Sequence, residues 1–286
     1  MYASHQVYEG EEYLWVKMPK YNPRNMTRFL AMFYFAFSMF LLPFYTRKIG
    51  KPDYLLLSSM SIFPFPVLVF LKSLFKSKKL VFEVRDLWPL TPIHLMGYSS
   101  KNPMIWLITR LESYAYKKSD AIISLVQESS RYINAISGAP EKIHWIPNGV
   151  SLDFIKRSMS NMKAWNVDIP KDKLVVCYTG TLGFANALDP LFELIADQKD
   201  LADQVFFLIV GDGYKRKDYE TRSVGIKNIL FTGKLRKSDI PAVLIKADVC
   251  FISWHKSELY RHGVSANKYF DYLASGRPIL SAQEGI

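Results

Sequence analysis

The stretch Leu174-Val-Val-Cys-Tyr-Thr-Gly-Thr-Leu-Gly183 decides how this chain is read. An apolar, partly β-branched run gives way to two glycines, and helix-forming residues resume near Leu188. That order predicts a buried strand opening into a glycine-bearing turn ahead of a helix. Backbone amides exposed at such a turn bind phosphate by geometry, although two glycines alone are a weak signal. Three more segments repeat the pattern. Val205 to Val210 ends in Gly211-Asp-Gly213 with Lys215, Arg216 and Lys217 behind it; Asn228 to Phe231 ends in Thr232-Gly233; Asp248 to Ile252 ends in Ser253-Trp-His-Lys-Ser-Glu258. Strands alternating with helices predict a parallel sheet, in which ligands gather beyond the carboxyl ends of the strands.

The last such crossover is Gly263-Val-Ser-Ala-Asn-Lys-Tyr-Phe-Asp-Tyr-Leu-Ala-Ser-Gly-Arg-Pro278. Ser265 is placed to cap a helix, Gly276 to end it in the left-handed conformation, and Pro278 to prevent its resumption, so a helix is expected from about Ala266 to Ala274. Its first-turn amides, its dipole and Lys268 all favour an anion, and Gly263 lets a ligand approach the backbone. Asn267 and Asp271 are four apart and share a face, which places an amide and a carboxylate within reach of hydroxyls one turn away. A phosphate beside a polyol describes a nucleotide sugar. An ordinary capped surface helix with a salt bridge is the competing reading.

The first half of the chain carries the same alternation. Tyr54 to Ser58, Leu80 to Val84, Ala121 to Leu125 and Lys142 to Ile146 are short apolar runs bounded by turn or charged residues. Glu83-Val-Arg-Asp-Leu-Trp-Pro89 lies at one of these strand ends, so Arg85 and Asp86 are the candidate catalytic pair there; an ion pair tying down a loop would look the same. Two longer apolar runs, Phe29 to Tyr45 and Ile62 to Phe75, are flanked by Arg24, Arg28, Arg47, Lys48 and Lys51 and by Lys72, Lys76, Lys78 and Lys79. The first is short for a membrane span and contains Pro43, which favours a helix lying in an anionic membrane surface; a helix buried in the domain is the alternative. After Ile146-Pro-Asn-Gly-Val150 the sequence becomes polar and irregular through Pro170. That divides the chain into an acceptor and membrane-associated domain over 1–160 and a nucleotide-sugar domain over 161–286.

The composition agrees with a globular α/β protein: 286 residues, 49% hydrophobic and 22% charged. A net charge of +11 calls for anionic lipid or phosphorylated substrates, and with no zinc-finger or RNA-binding signature nucleic acid is the weakest partner. Cys177 and Cys250 fall inside apolar strands and read as core thiols. Met1 to Gly10 has no basic start followed by an apolar stretch, so no secretory signal is expected.

Taken together, Glu83 to Pro89, Ile146-Pro-Asn-Gly149, Tyr178-Thr-Gly-Thr-Leu-Gly183, Val210-Gly-Asp-Gly213, Phe231-Thr-Gly233 and the Gly263 to Pro278 helix resemble the family 4 glycosyltransferases of the two-Rossmann-domain (GT-B) type, especially bacterial members that build O-antigen, capsule and other exopolysaccharides. The resemblance implies retaining hexosyl transfer from a nucleoside diphosphate sugar to a polyprenyl-diphosphate-linked saccharide at the cytoplasmic face of the membrane, with no cofactor and no metal. It also implies that Asp271 holds the donor ribose and that Gly180, Thr181 and Gly183 approach the diphosphate, with Lys215, Gly233, Glu258, Gly263, Asn267 and Lys268 as further donor contacts. The chain departs from the family where paired glutamates are replaced by Gly263 and Asp271, and where a basic pair after the glycine loop is replaced by Phe184-Ala-Asn186, which leaves the diphosphate charge to Lys268 and Lys215. The resemblance further suggests trimming at both ends, with Tyr2 to Lys20 entering the first domain late. Two rival expectations remain: a sugar-nucleotide epimerase on the same frame, and an inactive fragment or membrane-bound partner subunit.

Overall fold

The computed structural model describes residues 3–8, 10–20, 27–44, 50–59, 61–160, 169–198 and 204–282. Arg24, Arg47, Lys48 and the Arg28 side chain, expected to flank the first apolar run, lie outside what is described. The chain divides into two compact units, Met1–Pro147 with Arg261–Gly263, and Asn148–Tyr260 with Val264–Ile286.

The first unit begins with β1 (Ala3–Tyr8) and β2 (Glu11–Val16), an antiparallel pair that forms a sheet of its own. The stretch expected to enter the first domain late therefore makes a ribbon separate from the parallel sheet. Next come α1 (Thr27–Ser38), a 3-10 turn over Met39–Leu41, β3 (Tyr54–Ser58), α2 (Phe65–Phe75), β4 (Lys79–Val84), α3 (Leu90–Met96), α4 (Pro103–Lys118), β5 (Ala121–Ser124), α5 (Ser129–Ser137) and β6 (Ile143–Trp145). Strands β3, β4, β5 and β6 are parallel neighbours in that order. In β4 every second residue, Leu80, Phe82 and Val84, is buried, and Phe82 packs against Phe65 at 5.2 Å and Tyr116 at 6.0 Å. Among the described residues no helix is long and apolar enough to cross a membrane.

The second unit contains α6 (Leu152–Ser160), β7 (Leu174–Thr179), α7 (Asp189–Asp197), β8 (Val205–Val210), α8 (Arg216–Arg222), β9 (Ile229–Gly233), α9 (Ile240–Ile245), β10 (Val249–Ser253), α10 (Asn267–Ser275) and β11 (Ile279–Ala282). Its parallel sheet runs β11-β10-β7-β8-β9. All six residues of β8 are buried, as expected of a strand covered on both faces. The alternation of side chains sorts them into two cores. Val176, Tyr178, Phe207 and Ile209 pack with Leu191, Phe192 and Ile195 of α7; Val175, Cys177, Phe206 and Leu208 pack with Val243 and Leu244 of α9 and Tyr272 of α10. Cys177 and Cys250 stand opposite each other in the β7–β10 register as buried free thiols, and burial pushes both pKa values up.

One device appears in both units. Asp120, just ahead of β5, accepts the Leu80 amide at 2.6 Å and also meets Lys72 at 2.6 Å. Asp248, just ahead of β10, accepts the Val175 amide at 2.8 Å. In each case the aspartate backbone amide returns the bond to the same neighbour's carbonyl, at 2.9 Å. The second residue of a central strand is thereby satisfied ahead of the point where its neighbour's ladder begins.

Candidate functional site

Polar groups concentrate at the carboxyl ends of β7, β8 and β9. The loops after β7 and β8 lie against each other so closely that a Cβ on Gly211 would fall 1.8 Å from the Gly180 carbonyl oxygen, and one on Gly213 would fall 2.2 Å from that of Leu182. Gly180 and Gly211 also hold φ of +148° and +140°, a region that disfavours side chains. This contact consumes the amides that the sequence suggested were open. Gly180 donates to Val210 O at 2.9 Å, Leu182 to Asp212 O at 3.0 Å, Gly183 to Thr181 O at 3.1 Å and Phe184 to the Tyr214 hydroxyl at 2.9 Å. The loop is thus a closed backbone clasp, and a cleft of about 340 Å³ opens beside it, lined by Gly180, Thr181, Gly211, Asp212, Lys234 and Leu235 among others.

Positive charge comes to the clasp from α10. Lys268 donates to the Tyr178 hydroxyl at 3.0 Å and to the Asn186 side-chain carbonyl, and its ammonium lies 4.6 Å from the centre of the Tyr178 ring. Tyr178 in turn donates to Thr181 O at 3.0 Å, so lysine, ring and loop form one chain. These partners are neutral, and burial pushes the lysine pKa down to about 8. Among the described residues no carboxylate pairs with this ammonium, and a desolvated cation in that position is suited to an incoming anion.

The helix starts one residue later than expected and without a side-chain cap. Its N-cap is Ala266 in extended backbone, because Ser265 is engaged elsewhere: its hydroxyl accepts the Asn148 amide at 3.3 Å and its carbonyl accepts the Asn148 side-chain amide at 2.5 Å. At the other end Gly276 closes the helix with φ +69°, as the sequence predicts. Tyr272 fixes α10 to β7 by accepting the buried Thr179 amide at 2.8 Å.

The remaining candidates are distributed around this centre. Thr181 and Gly183 sit in the clasp with Gly180 and Lys268. Asp271 lies one turn below exposed Asn267 and pairs with Lys237. Lys215 is spoken for: it meets Asp189 at 2.5 Å, so the charge expected to serve a diphosphate is already compensated. Gly233, at φ +75°, has Arg216 Nη1 3.0 Å from its Cβ position, and Arg216 itself meets Glu220 at 2.7 Å. Glu258 is exposed at the start of a 3-10 turn over Glu258–His262. Gly263, at φ +90°, belongs to the first unit, where its Cβ position lies 2.5 Å from Val126 Cγ1. Sequence reasoning missed Tyr178, Asn186 and Tyr214. It also missed His255, which stacks on Phe184 at 4.1 Å and bonds its carbonyl at 2.6 Å.

In the first unit Arg85 and Asp86 are exposed at the end of β4. Ser59 organises that end: its hydroxyl accepts the Arg85 amide at 2.8 Å, its amide donates to Glu83 O at 2.9 Å, and its carbonyl accepts the Trp88 indole at 3.3 Å. Elsewhere in the unit, Glu112 is buried and accepts the hydroxyls of Tyr116 at 2.9 Å and Tyr132 at 2.8 Å. Burial raises its pKa to about 8. The Tyr132 ring lies 5.5 Å from that of His262, whose pKa is held below the usual value by burial and then by His94. Among the described residues no group of three or more His, Cys, Asp or Glu is placed to hold a metal ion.

Two parallel sheets with polar clusters at their carboxyl ends place the protein in the α/β class of the GT-B glycosyltransferases. The chain belongs to Glycosyltransferase Family 4, whose model matches residues 3–154. It is 25% identical over 182 residues to a 2-deoxystreptamine glucosyltransferase of Streptomyces kanamyceticus, covering 61% of this chain and 46% of that protein. Among solved structures, sucrose-phosphate synthase of Thermosynechococcus elongatus matches with a TM-score of 0.64 at 16% identity, over 91% of this chain and 62% of that one. HepE of Anabaena, in complex with UDP-glucose, matches with a TM-score of 0.53 at 18% identity, over 80% and 60%. The chain spans about half the length of the curated relatives it matches, 46% and 54%.

Proposed function

We propose that this protein transfers a hexosyl group, with retention of configuration and without a metal, from a nucleoside diphosphate sugar to a polyprenyl-diphosphate-linked saccharide. The second unit would hold the donor and the first would present the acceptor, at the cytoplasmic face of the membrane in the assembly of a bacterial surface polysaccharide. One observation carries the reading: Lys268, half-buried and with no carboxylate partner among the described residues, reaches the glycine clasp from the first turn of a helix that bears Asp271 one turn on. As the bond from the anomeric carbon to the diphosphate breaks, negative charge builds on the leaving oxygen. An ammonium and helix amides already in place lower that charge without reorganising. Asp271 offers hydroxyl-binding oxygens for the ribose, and Arg85 with Asp86 would meet the acceptor.

The bound nucleotide in HepE makes UDP and UDP-glucose the first ligands to test. Calorimetric titration of the protein with each should give saturable binding, and Lys268→Ala should weaken it by about tenfold or more, the worth of a charge-assisted contact. Equal affinity in the variant and the parent would end this reading of Lys268. Transfer itself is measured by incubating membranes that carry lipid-linked saccharide with radiolabelled donor.

A further inference from the structure

We propose that the outer face of α1, the 3-10 turn after it and α2 is a docking surface for an anionic lipid bilayer, on which the protein lies without crossing. The proposal rests on the membrane placement in that reading and deepens it by naming the surface; vesicle binding is read without donor, so its outcome is separate from that of sugar-nucleotide binding.

These elements have two faces of opposite fate. The inner one is part of the fold: Val67, Leu71 and Phe75 are buried, and Met39, Leu42 and Leu55 pack against them. The outer one carries Leu30, Phe33, Phe37 and Phe40 from α1 and its turn, and Phe70 and Leu74 from α2, all between 40% and 67% exposed. Phe40 lies 5.8 Å from Phe37 on one side and 5.8 Å from Phe70 on the other, so the two elements share one continuous aromatic strip. Single exposed apolar residues are ordinary, whereas a continuous strip marks a contact surface.

Charge identifies the occupant. At the end of α2 the chain turns at Lys76, which takes the left-handed conformation, and Lys76, Lys78 and Lys79 are exposed. Ser77 donates through its hydroxyl to Pro52 O at 2.7 Å and Lys78 through its amide to Asp53 O at 2.7 Å, which brings exposed Lys51 to the same place. Asp53 pairs with Lys78 at 3.0 Å, and three of these four lysines are left without a described acidic partner. Phenylalanines that can enter the acyl boundary, next to ammonium groups at headgroup height, fit an anionic bilayer. The elements themselves are 12, 3 and 11 residues, and none reaches the length of a span.

The test is sedimentation of the purified protein with phosphatidylglycerol–phosphatidylcholine vesicles and with pure phosphatidylcholine vesicles. The parent should sediment with the anionic vesicles, and more weakly as salt is raised. Phe37→Ser combined with Phe40→Ser should lower the partition coefficient about tenfold or more. Lys76→Gln and Lys79→Gln should each lower it about fivefold, on anionic vesicles alone. All four positions are exposed, so unchanged melting curves exclude misfolding as the cause. A parent that stays in the supernatant with anionic vesicles overturns the proposal, and so does a double phenylalanine variant that partitions like the parent. If the parent ignores vesicles but elutes as a dimer that the phenylalanine variant converts to a monomer, the strip joins two copies of this chain and the proposal falls.

Discussion

Asp120 in the first unit and Asp248 in the second do the same work: each closes the leading edge of its central strand by exchanging bonds with Leu80 or Val175. At the opposite edge the two sheets part. The second ends in glycines packed backbone to backbone, with the loop amides already donating inward and Lys268 bringing charge to them. The first ends in a loop organised by one serine, with the exposed residues Arg85 and Asp86 on it. The same sheet architecture therefore supports one end whose geometry is set by what cannot fit and another that presents exposed charged side chains on a hydrogen-bonded loop.

Adding a methyl group to the clasp should break this contrast most severely. Gly211→Ala and Gly213→Ala would drive a carbon into a carbonyl oxygen 1.8 Å and 2.2 Å away. Each should cost roughly 4 kcal/mol or more in denaturant unfolding. Gly97→Ala in the first unit, at φ +70° with nothing near it, should cost only about 1–2 kcal/mol.

The buried acid of the first unit comes next. Glu112→Ala leaves two tyrosine hydroxyls without their acceptor and should cost roughly 2–4 kcal/mol, while Glu112→Gln keeps an acceptor and should cost less. Because its carboxyl pKa is raised from 4.5 to about 8, the folded protein keeps a proton that the unfolded chain has lost across that window. Stability should then fall as pH rises from 4.5 to 8, and urea titrations of Glu112→Gln should show that slope removed.

A smaller effect distinguishes the lysine from the helix amides. If the anion is held by Lys268, with its pKa near 8, the dissociation constant for UDP should rise by up to about tenfold per pH unit above 8. Amides do not titrate there, so an unchanged constant at pH 9 would return the role to the backbone. Smallest in stability is Arg85→Ala, an exposed site where unfolding should shift by no more than about 0.5 kcal/mol. Donor binding should be unaffected and transfer to the acceptor should drop; weakened donor binding in that variant would remove the division of labour between the two sheet ends.

Much of this architecture was legible from alternation alone. Tyr54–Ser58 and Val205–Val210 form over the spans their apolar runs suggest, and Gly276 ends α10 as a left-handed cap. What local pattern could not reveal depends on partners far away in the chain. Ser265 has the chemistry of a helix cap, but Asn148, 117 residues earlier, occupies both its hydroxyl and its carbonyl. The loop at Gly180 looks open in sequence because the groups that close it, Val210 O and Asp212 O, arrive from the next crossover. Lys215 looks available until α7 supplies Asp189. One signal was present and went unread: Asp precedes an apolar strand in both Asp120-Ala-Ile-Ile and Asp248-Val-Cys-Phe, the mark of the shared strand-edge device.

The thiol pair of the second sheet gives the protein a reporter of its own. Cys177 and Cys250 are the only cysteines in the chain, and they face each other on neighbouring strands behind packed helices. Their alkylation must wait until β7 and β10 come apart, so the rate at which a reagent such as iodoacetamide reacts reads the opening of that sheet directly. Events confined to the other sheet, including any insertion of phenylalanines into lipid, would leave that clock unchanged.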